Sequence, residues 1–305
     1  MKLLTFTILL CGSAWAQAQP QPAQPQNDVH VFPVQGNVSM LVGPGGNMTI
    51  QAGKDGIAVV DTQTAAAAPQ VMAAIRKLSD TPIIWVINTS LDADHIGGNE
   101  ALLRLGGSNE ASLRARVVTH ENVLDRLVKM GQARVADAAS INDTYFRSPK
   151  DFLFNGEPVM VYHMPAAHTD GDSIVLFRKS DVISSGDLFT PDRYPVIDLA
   201  DGGSVQGLLD GLNRILEMAV AGKYQEGGTF VIPGHGRLCD EADVVEFRDM
   251  VTIIRDRVQD MIKKGMTLEQ VKAGKPSRDY DTQYSGSPDV FVESIYKSLV
   301  TSGKR

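Results

Sequence analysis

Four times along this chain an apolar, strand-like run breaks off into a short segment of Gly or Pro and metal-ligating side chains. PIIWVI runs into NTSLDADH (88–95), PVMVYH into MPAAHTDGD (164–172), DVI into SSGDLF (184–189) and TFV into IPGHG (232–236). Apolar runs without polar alternation are satisfied only when both faces are covered, so they predict buried strands of a layered α/β structure. Strand ends gathered at one sheet edge let their loops bring distant side chains together. These loops carry His95, His168 and His235 with Asp92, Asp94 and Asp187. Such a mixture of imidazole and carboxylate suits zinc, iron or manganese. The chain has only 6 His, so their concentration at strand ends is the tightest constraint the sequence offers.

The remaining pattern fits around these strands. VHVFPV, SMLVG, MTIQAG and GIAVVDT, from Val29 to Asp61, predict antiparallel strands joined by tight turns. GPGG (43–46) reads as a hairpin turn, not a phosphate loop, because no helix follows it. AAAAPQVMAAIRKLSD predicts a helix with Val71, Met72, Ile75 and Leu78 on its buried face. Further helices are expected over 97–105, 122–130, 205–218 and 241–264, in TLEQVKAG and in DVFVESIYKSLV, with a strand over 115–119. In the long helix, Met261 falls at helical spacing from Val258, on a packed face. Strands first, then strand–helix alternation, twice over, predicts an α/β fold: a four-layer αββα sandwich. Segments 37–46, 133–155 and 189–203 are left as the loops that shape a cleft.

The N-terminus reads as an address. Lys2, the apolar run Leu3–Leu10 and the small-x-small site Ala14-Trp15-Ala16 predict a signal peptide over 1–16, too short for a membrane-spanning helix. Leu10 before Cys11 disfavours lipoprotein processing. Residues 17–27, built of Gln, Pro and Ala, read as an extended linker, which leaves 28–305 as one domain. Cleavage removes Lys2 and Cys11, taking the formal charge from −7 to −8 and leaving Cys239 as the only cysteine. An intramolecular disulfide is then excluded. The expected location is periplasmic or secreted, with no membrane attachment after cleavage. An acidic chain without a basic stripe argues against a nucleic-acid partner.

Taken together, the loops resemble the metallo-β-lactamase superfamily of binuclear metallohydrolases over nearly all of the mature chain. The family signature H-x-H-x-D-H aligns on Ser90-Leu91-Asp92-Ala93-Asp94-His95, followed by GGN (97–99). The next family histidine falls on His168 in HTDGD, the bridging aspartate on Asp187 in SGDLF, and the last histidine on His235 in PGHG. The resemblance implies a metallo-β-lactamase fold. It also implies a second metal site of Asp94, His95 and His235 that shares Asp187 with a first site containing His168. Both leading histidines of the signature are replaced, by Ser90 and Asp92. Either Asp92 substitutes as a ligand, giving a harder, oxygen-rich first site that favours iron or manganese as in the flavodiiron branch, or only the second site fills. A site that binds nothing would leave clustered carboxylates without a cation to neutralise them.

The activity so implied is hydrolysis. One or two divalent metal ions (Zn, with Fe or Mn as alternatives) would generate metal-bound hydroxide near pH 7 for attack on a small ester, thioester, lactone or amide. Asp94 would both ligate and orient the attacking water, and Thr89, Thr169 and Asp172 would support the ligands. HTDGD and SGDLF lean toward the glyoxalase-II-like side of the family, while the missing histidines count against β-lactamase activity. The alternatives are an iron-dependent redox enzyme and a non-catalytic binding protein on the same scaffold. His30 is read as a surface residue, His120 as a helix cap, His163 as structural, Cys239 as buried and Asp61 as structural. The sequence leaves the substrate and the oligomeric state open.

Overall fold

The computed structural model describes residues 28–108, 110, 114–225 and 227–302. The predicted signal and linker over 1–27 lie outside them. The first sheet opens as a meander in which β1 (His30–Gln35), β2 (Val38–Gly43), β3 (Gly46–Gly53) and β4 (Gly56–Val60) pair antiparallel. It continues in parallel through β5 (Ile83–Ile87), β6 (Arg116–His120) and β7 (Asp143–Tyr145). Parallel neighbours need crossovers. These are α1 (Ala68–Ile75), then α2 (Ala93–Ile96) with α3 (Asn99–Gly106), then α4 (Glu121–Lys129) with α5 (Val135–Ser140).

The second sheet is a meander of β8 (Lys150–Phe154), β9 (Glu157–Met164), β10 (Asp172–Phe177) and β11 (Val182–Gly186). After α6 (Val205–Met218), β12 (Phe230–Pro233) joins parallel to β11. The chain ends in α7 (Glu241–Lys263), opened by a reciprocal Asp240/Asp243 capping box, then α8 (Leu268–Ala273) and α9 (Pro288–Ser302).

Side-chain alternation makes the layers. In β4, Ile57 and Val59 pack with α1 residues Val71, Met72 and Ile75, while Ala58 and Val60 face Val159, Val175 and Phe177 of the other sheet. In β12, Val231 packs with Leu212, Val244 and Phe247 of the C-terminal helices, and Ile232 turns to the inter-sheet core. Helices therefore cover the outer face of each sheet, as the αββα expectation required. Phe177 is fully buried, a contribution of about 1.5–3 kcal/mol. Among the described residues, no helix is long and apolar enough to cross a membrane.

Three expectations need correction. Segment 133–155 is not an open loop, since it holds α5, β7 and β8. The alternation Lys150, Phe152, Phe154 against exposed Asp151 and Leu153 carries β8, and Phe152 stacks on Trp85 at 3.9 Å. Its five residues at a sheet edge, and three in β7, offer too short a run for pattern reading. In segment 37–46, likewise, residues 38–43 belong to β2 and Gly46 opens β3, so only Asn37 and the Pro44–Gly45 tip of the hairpin turn lie outside the strands. Leu78 lies beyond the end of α1 and is exposed, because the chain turns there with Arg76 donating to the Ser79 and Thr81 carbonyls.

Topology decides where the site can be. β4 runs parallel to β5, β11 parallel to β12, and β9 lies two antiparallel steps from β11. The C-terminal ends of β4 and β5 thus share one edge, as do those of β9, β11 and β12, and the polar loops follow these ends.

Candidate metal centre

The loop after β5 is held from below. Asn88 Nδ2, Thr62 N and Thr62 Oγ1 all donate to the His95 carbonyl, at 2.9–3.1 Å. Asp92 is the N-cap of the single turn α2, yet its carboxylate makes no capping bond to that helix. It faces His168 instead, with Oδ2 2.8 Å from Nε2, and also accepts from Ser90 Oγ at 3.2 Å. The turn places Asp94 and His95 side by side.

After β9, Asp172 accepts from Thr169 N at 2.8 Å and Thr169 Oγ1 at 2.7 Å, closing the loop that carries His168. His168 Nδ1 donates to the Val196 carbonyl at 2.9 Å. Beyond β12, Asn47 staples the PGHG loop to β3. Its backbone N donates to Gly234 O at 2.8 Å, and its Nδ2 donates to Pro233 O at 2.8 Å and Gly236 O at 3.0 Å. Gly46, at φ +114°, lies under the His235 ring, and a Cβ there would stand 2.9 Å from His235 Cε1.

The six residues singled out from the sequence meet in two groups, Asp94/His95/His235 and Asp92/His168/Asp187, with ligand atoms of each group within 4.8 Å of one another. Asp187 stands between them. Its Oδ1 is 3.4 Å from His95 Nε2 and 3.6 Å from His235 Nε2, while His235 Nε2 is 3.2 Å from Asp94 Oδ2. Gly234 leaves the room, since a Cβ at that position would come within 2.1 Å of Asp187 Oδ1. His95 forms the buried floor, and the half-buried side chains of Asp92 and Asp94 face the solvent side.

The donor set fits a cation on its own chemistry. His95 Nδ1 lies 2.8 Å from Asp61 Oδ2 and donates to it, so in neutral His95 the Nε2 lone pair points into the site. That Nε2 and Asp187 Oδ1 are both buried without a hydrogen-bond partner. Two electron-rich atoms left unpaired together inside a protein demand positive charge between them. His168 repeats the logic: its Nδ1 proton is committed to Val196, leaving the Nε2 lone pair opposite the Asp92 carboxylate.

Without a cation, protons must supply that charge. Burial opposes protonation of His168, but its hydrogen bond to Asp92 wins and raises it to about 10. Burial likewise opposes protonation of His95, and the charges of Asp61 and Asp187 overcome it, raising His95 well above the ordinary imidazole value. Burial would raise Asp187 and Asp92, but His95 holds the first, and the His168 hydrogen bond the second, below the usual carboxylate range. Asp172, fully enclosed, is pushed up to about 6 by burial.

The residues read as structural behave so. Asp61 accepts from Thr89 N, Thr89 Oγ1 and His95 Nδ1, and sets the ring that ligation would use. Cys239 is buried beside Val231, and burial pushes its thiol up, away from the reactive range. His30 is exposed in β1. His120 caps α4 by accepting from Asn122 N, and stacks on His163 at 3.5 Å. Burial lowers His120 to about 4, with the neighbouring His163 adding to it, and burial lowers His163 too, against the opposing pull of Asp170 and Glu121.

Both rings stay neutral in the fold while the unfolded chain takes up protons below about 6.5. The contribution of His120 to stability is therefore complete above that pH and lost as pH falls toward about 4, and that of His163 changes in the same direction. The urea midpoint of wild type is expected to fall more steeply across this window than that of His120→Asn, which keeps the cap. Parallel curves would refute the assignment. Pattern reading missed Asn47 and the Val196 carbonyl, because neither is of ligand type. Gln63, whose amide donates to Gly46 O and whose own carbonyl accepts from Gly98 N, escaped for the same reason.

A sequence model of the metallo-beta-lactamase superfamily matches residues 41–235, from β2 to the last histidine of the site. Among solved structures, the stereoselective inverting sec-alkylsulfatase from Pseudomonas sp. aligns with a TM-score of 0.69 at 17% identity over 88% of this chain and 50% of its own. A double mutant of a sec-alkyl sulfatase gives 0.71 at 16% over 89% and 50%. This chain thus spans about half the length of these sulfatases. A metallo-beta-lactamase from Pontibacter korlensis gives 0.58 at 18%, covering 74% of this chain and 99% of its own. At such identities the likeness is one of fold. No curated protein matches the sequence.

Proposed function

The chain belongs to the metallo-beta-lactamase superfamily, a family of hydrolytic enzymes, and on that premise we propose that it is an exported metal-dependent hydrolase of small esters, thioesters, lactones or amides. One observation carries the reading: two ligand groups meet at Asp187, and the atoms where they meet, His95 Nε2 and Asp187 Oδ1, are buried and unpaired. Asp94, His95 and His235 would hold one divalent cation and Asp92 and His168 another, with Asp187 shared. Bound there, a divalent cation lowers the pKa of a coordinated water toward 7 and stabilises the charge that develops on the substrate oxygen.

The chain's own groups do the rest. The half-buried Asp94 is reached from solvent and accepts the proton of an entering water at its carboxylate. Asp61 and the Val196 carbonyl keep the Nε2 lone pairs of His95 and His168 turned inward, so no reorientation precedes reaction. Export is supported by the leader-like residues 1–16.

Three carboxylates and three imidazoles suit zinc as the first choice, and the Asp92/His168/Asp187 group, with two carboxylates to one imidazole, makes iron or manganese the alternatives. Asp92 beside His168 also supports a second reading, an iron-dependent redox enzyme. Iron in the protein as isolated, with oxygen consumption, would favour it over hydrolysis.

The test is elemental analysis of the mature chain, followed by ester, thioester, lactone and amide assays before and after chelation. Full activity in metal-free protein would end the hydrolase reading. Asp92→Ala is expected to remove one metal equivalent, weakening that group by about 100-fold or more, while the Asp94/His95/His235 group still loads. Two equivalents bound at unchanged affinity would remove Asp92 from the ligand set.

A further inference from the structure

Resting on that hydrolase reading, we propose that a cavity between residues 193–197 and the start of α9 binds the hydrocarbon chain of the substrate acid. The substrate class is then the esters and thioesters of medium-length, straight-chain acids. Segment 190–198 runs from one ligand group to the other. At one end Pro191 and Asp192 pack on Gly236 beside His235, where an added Cβ would meet atoms of both at 3.1 Å. At the other end the Val196 carbonyl accepts from His168 Nδ1 at 2.9 Å, and Asp198 N donates to His168 O at 2.9 Å.

The segment is braced from behind. Tyr194 N donates to Ser285 O at 3.0 Å, Ser285 N donates to Asp192 O at 2.9 Å, and Tyr194 Oη donates to Asp281 at 2.8 Å. Tyr194 also stacks on Phe291 at 5.2 Å. The cavity so formed measures about 330 Å³ and is walled by Tyr194, Pro195, Val196, Ile197, Val290 and Phe291. That is within the size range of preformed ligand pockets.

Val196 and Val290 are 61% and 64% exposed although every other apolar wall residue is buried. Apolar surface kept in water at the lip of a half-open cleft is what an apolar ligand removes. In a chain of net charge −7, no acidic side chain lines the cavity. Its one charged lining residue is Arg193. At roughly 30 Å³ per water-sized group, the volume admits about ten such groups, which sets the chain at about six to ten carbons. The α9 wall lies beyond residue 235, outside the part of the chain shared with the family at large.

In the reaction, water oxygen bonds to the acyl carbon and the C–O or C–S bond breaks. One water proton goes to the leaving alcohol or thiol, and the chain in the cavity is unchanged. The kcat/KM of the metal-loaded enzyme on straight-chain acyl esters is expected to rise about fourfold per methylene from C2, equivalent to ~0.8 kcal/mol each, and to level off once the cavity is full. The C8-to-C4 ratio is then on the order of 10². Val290→Asp, at an exposed first-turn position that tolerates an acid, is expected to cut that ratio to about 10 or less. Val290→Trp is expected to move the optimum to shorter chains.

Binding of octanoate and butyrate, followed by calorimetry, separates this proposal from the hydrolase reading. Octanoate binding at least tenfold tighter, and weakened by Val290→Asp, supports the pocket even if no ester is turned over. Turnover with a flat chain-length profile, or equal affinity for the two acids, overturns it.

Discussion

Replacing Asp187 by Asn is expected to lower turnover by about 10³-fold or more, the several kcal/mol of charge stabilisation lost with the metal ions. The side chain keeps its size, so the packing against Gly234 survives, but the oxygen shared by both ligand groups becomes neutral. Asp187 is the carboxylate that the charges of His95, His235 and His168 all pull toward ionisation against the cost of burial. Without its negative charge, one carboxylate remains in each group, Asp94 in one and Asp92 in the other, too little to neutralise a dication in either. Elemental analysis of Asp187→Asn is expected to find less than one metal equivalent.

Stability gives a readout that activity does not. At metal concentrations 100 times its Kd, wild type is expected to gain about 2.7 kcal/mol from binding to the folded state alone. The variant is expected to gain nothing at the same concentration. Wild-type metal content and turnover in Asp187→Asn would refute the shared-ligand role.

The second large effect is expected at a residue that does not touch the metal groups' open side. Asp61 is 2% exposed, sits at φ 63°, and accepts three hydrogen bonds, from Thr89 N, Thr89 Oγ1 and His95 Nδ1. Asp61→Ala removes the carboxylate to which three buried donors bond, a loss of about 3–5 kcal/mol of folding stability. Forcing Ala into left-handed backbone adds about 1 kcal/mol. Asp61→Asn is the informative partner, because Asn tolerates that backbone and keeps one acceptor oxygen. It is expected to fold, while metal affinity falls 10- to 100-fold through loss of the anionic partner of His95. Denaturant unfolding and competitive chelator titration measure the two effects separately. Unchanged metal affinity in a folded Asp61→Asn protein would show that Thr89, 3.0 Å from the same nitrogen, orients the ring alone.

Much of this architecture could be read from residues close together in sequence. GIAVV is apolar at every position because β4 is covered on both faces, and that is visible without knowing by what. The candidate ligands were readable for a related reason. Parallel and twice-antiparallel strands share an edge, so ligand-type residues just past several strand ends fall together. Elements of three to six residues were harder, as β7, β8 and α5 illustrate, since so few positions cannot establish a period. Segment 190–198 has no period at all, and its shape comes from hydrogen bonds to residues about ninety positions away.

The strand-end motif thus determined by itself the fold class and six candidate ligand residues, because each is written in local alternation and residue type. What those ligands can do was decided only by the tertiary structure. The face each imidazole turns to the site depends on which acceptor holds its other nitrogen, Asp61 for His95 and the Val196 carbonyl for His168. Those acceptors lie 34 and 28 residues away. A hydrogen bond across that separation is set by how layers pack, and no pattern in the neighbouring residues encodes it.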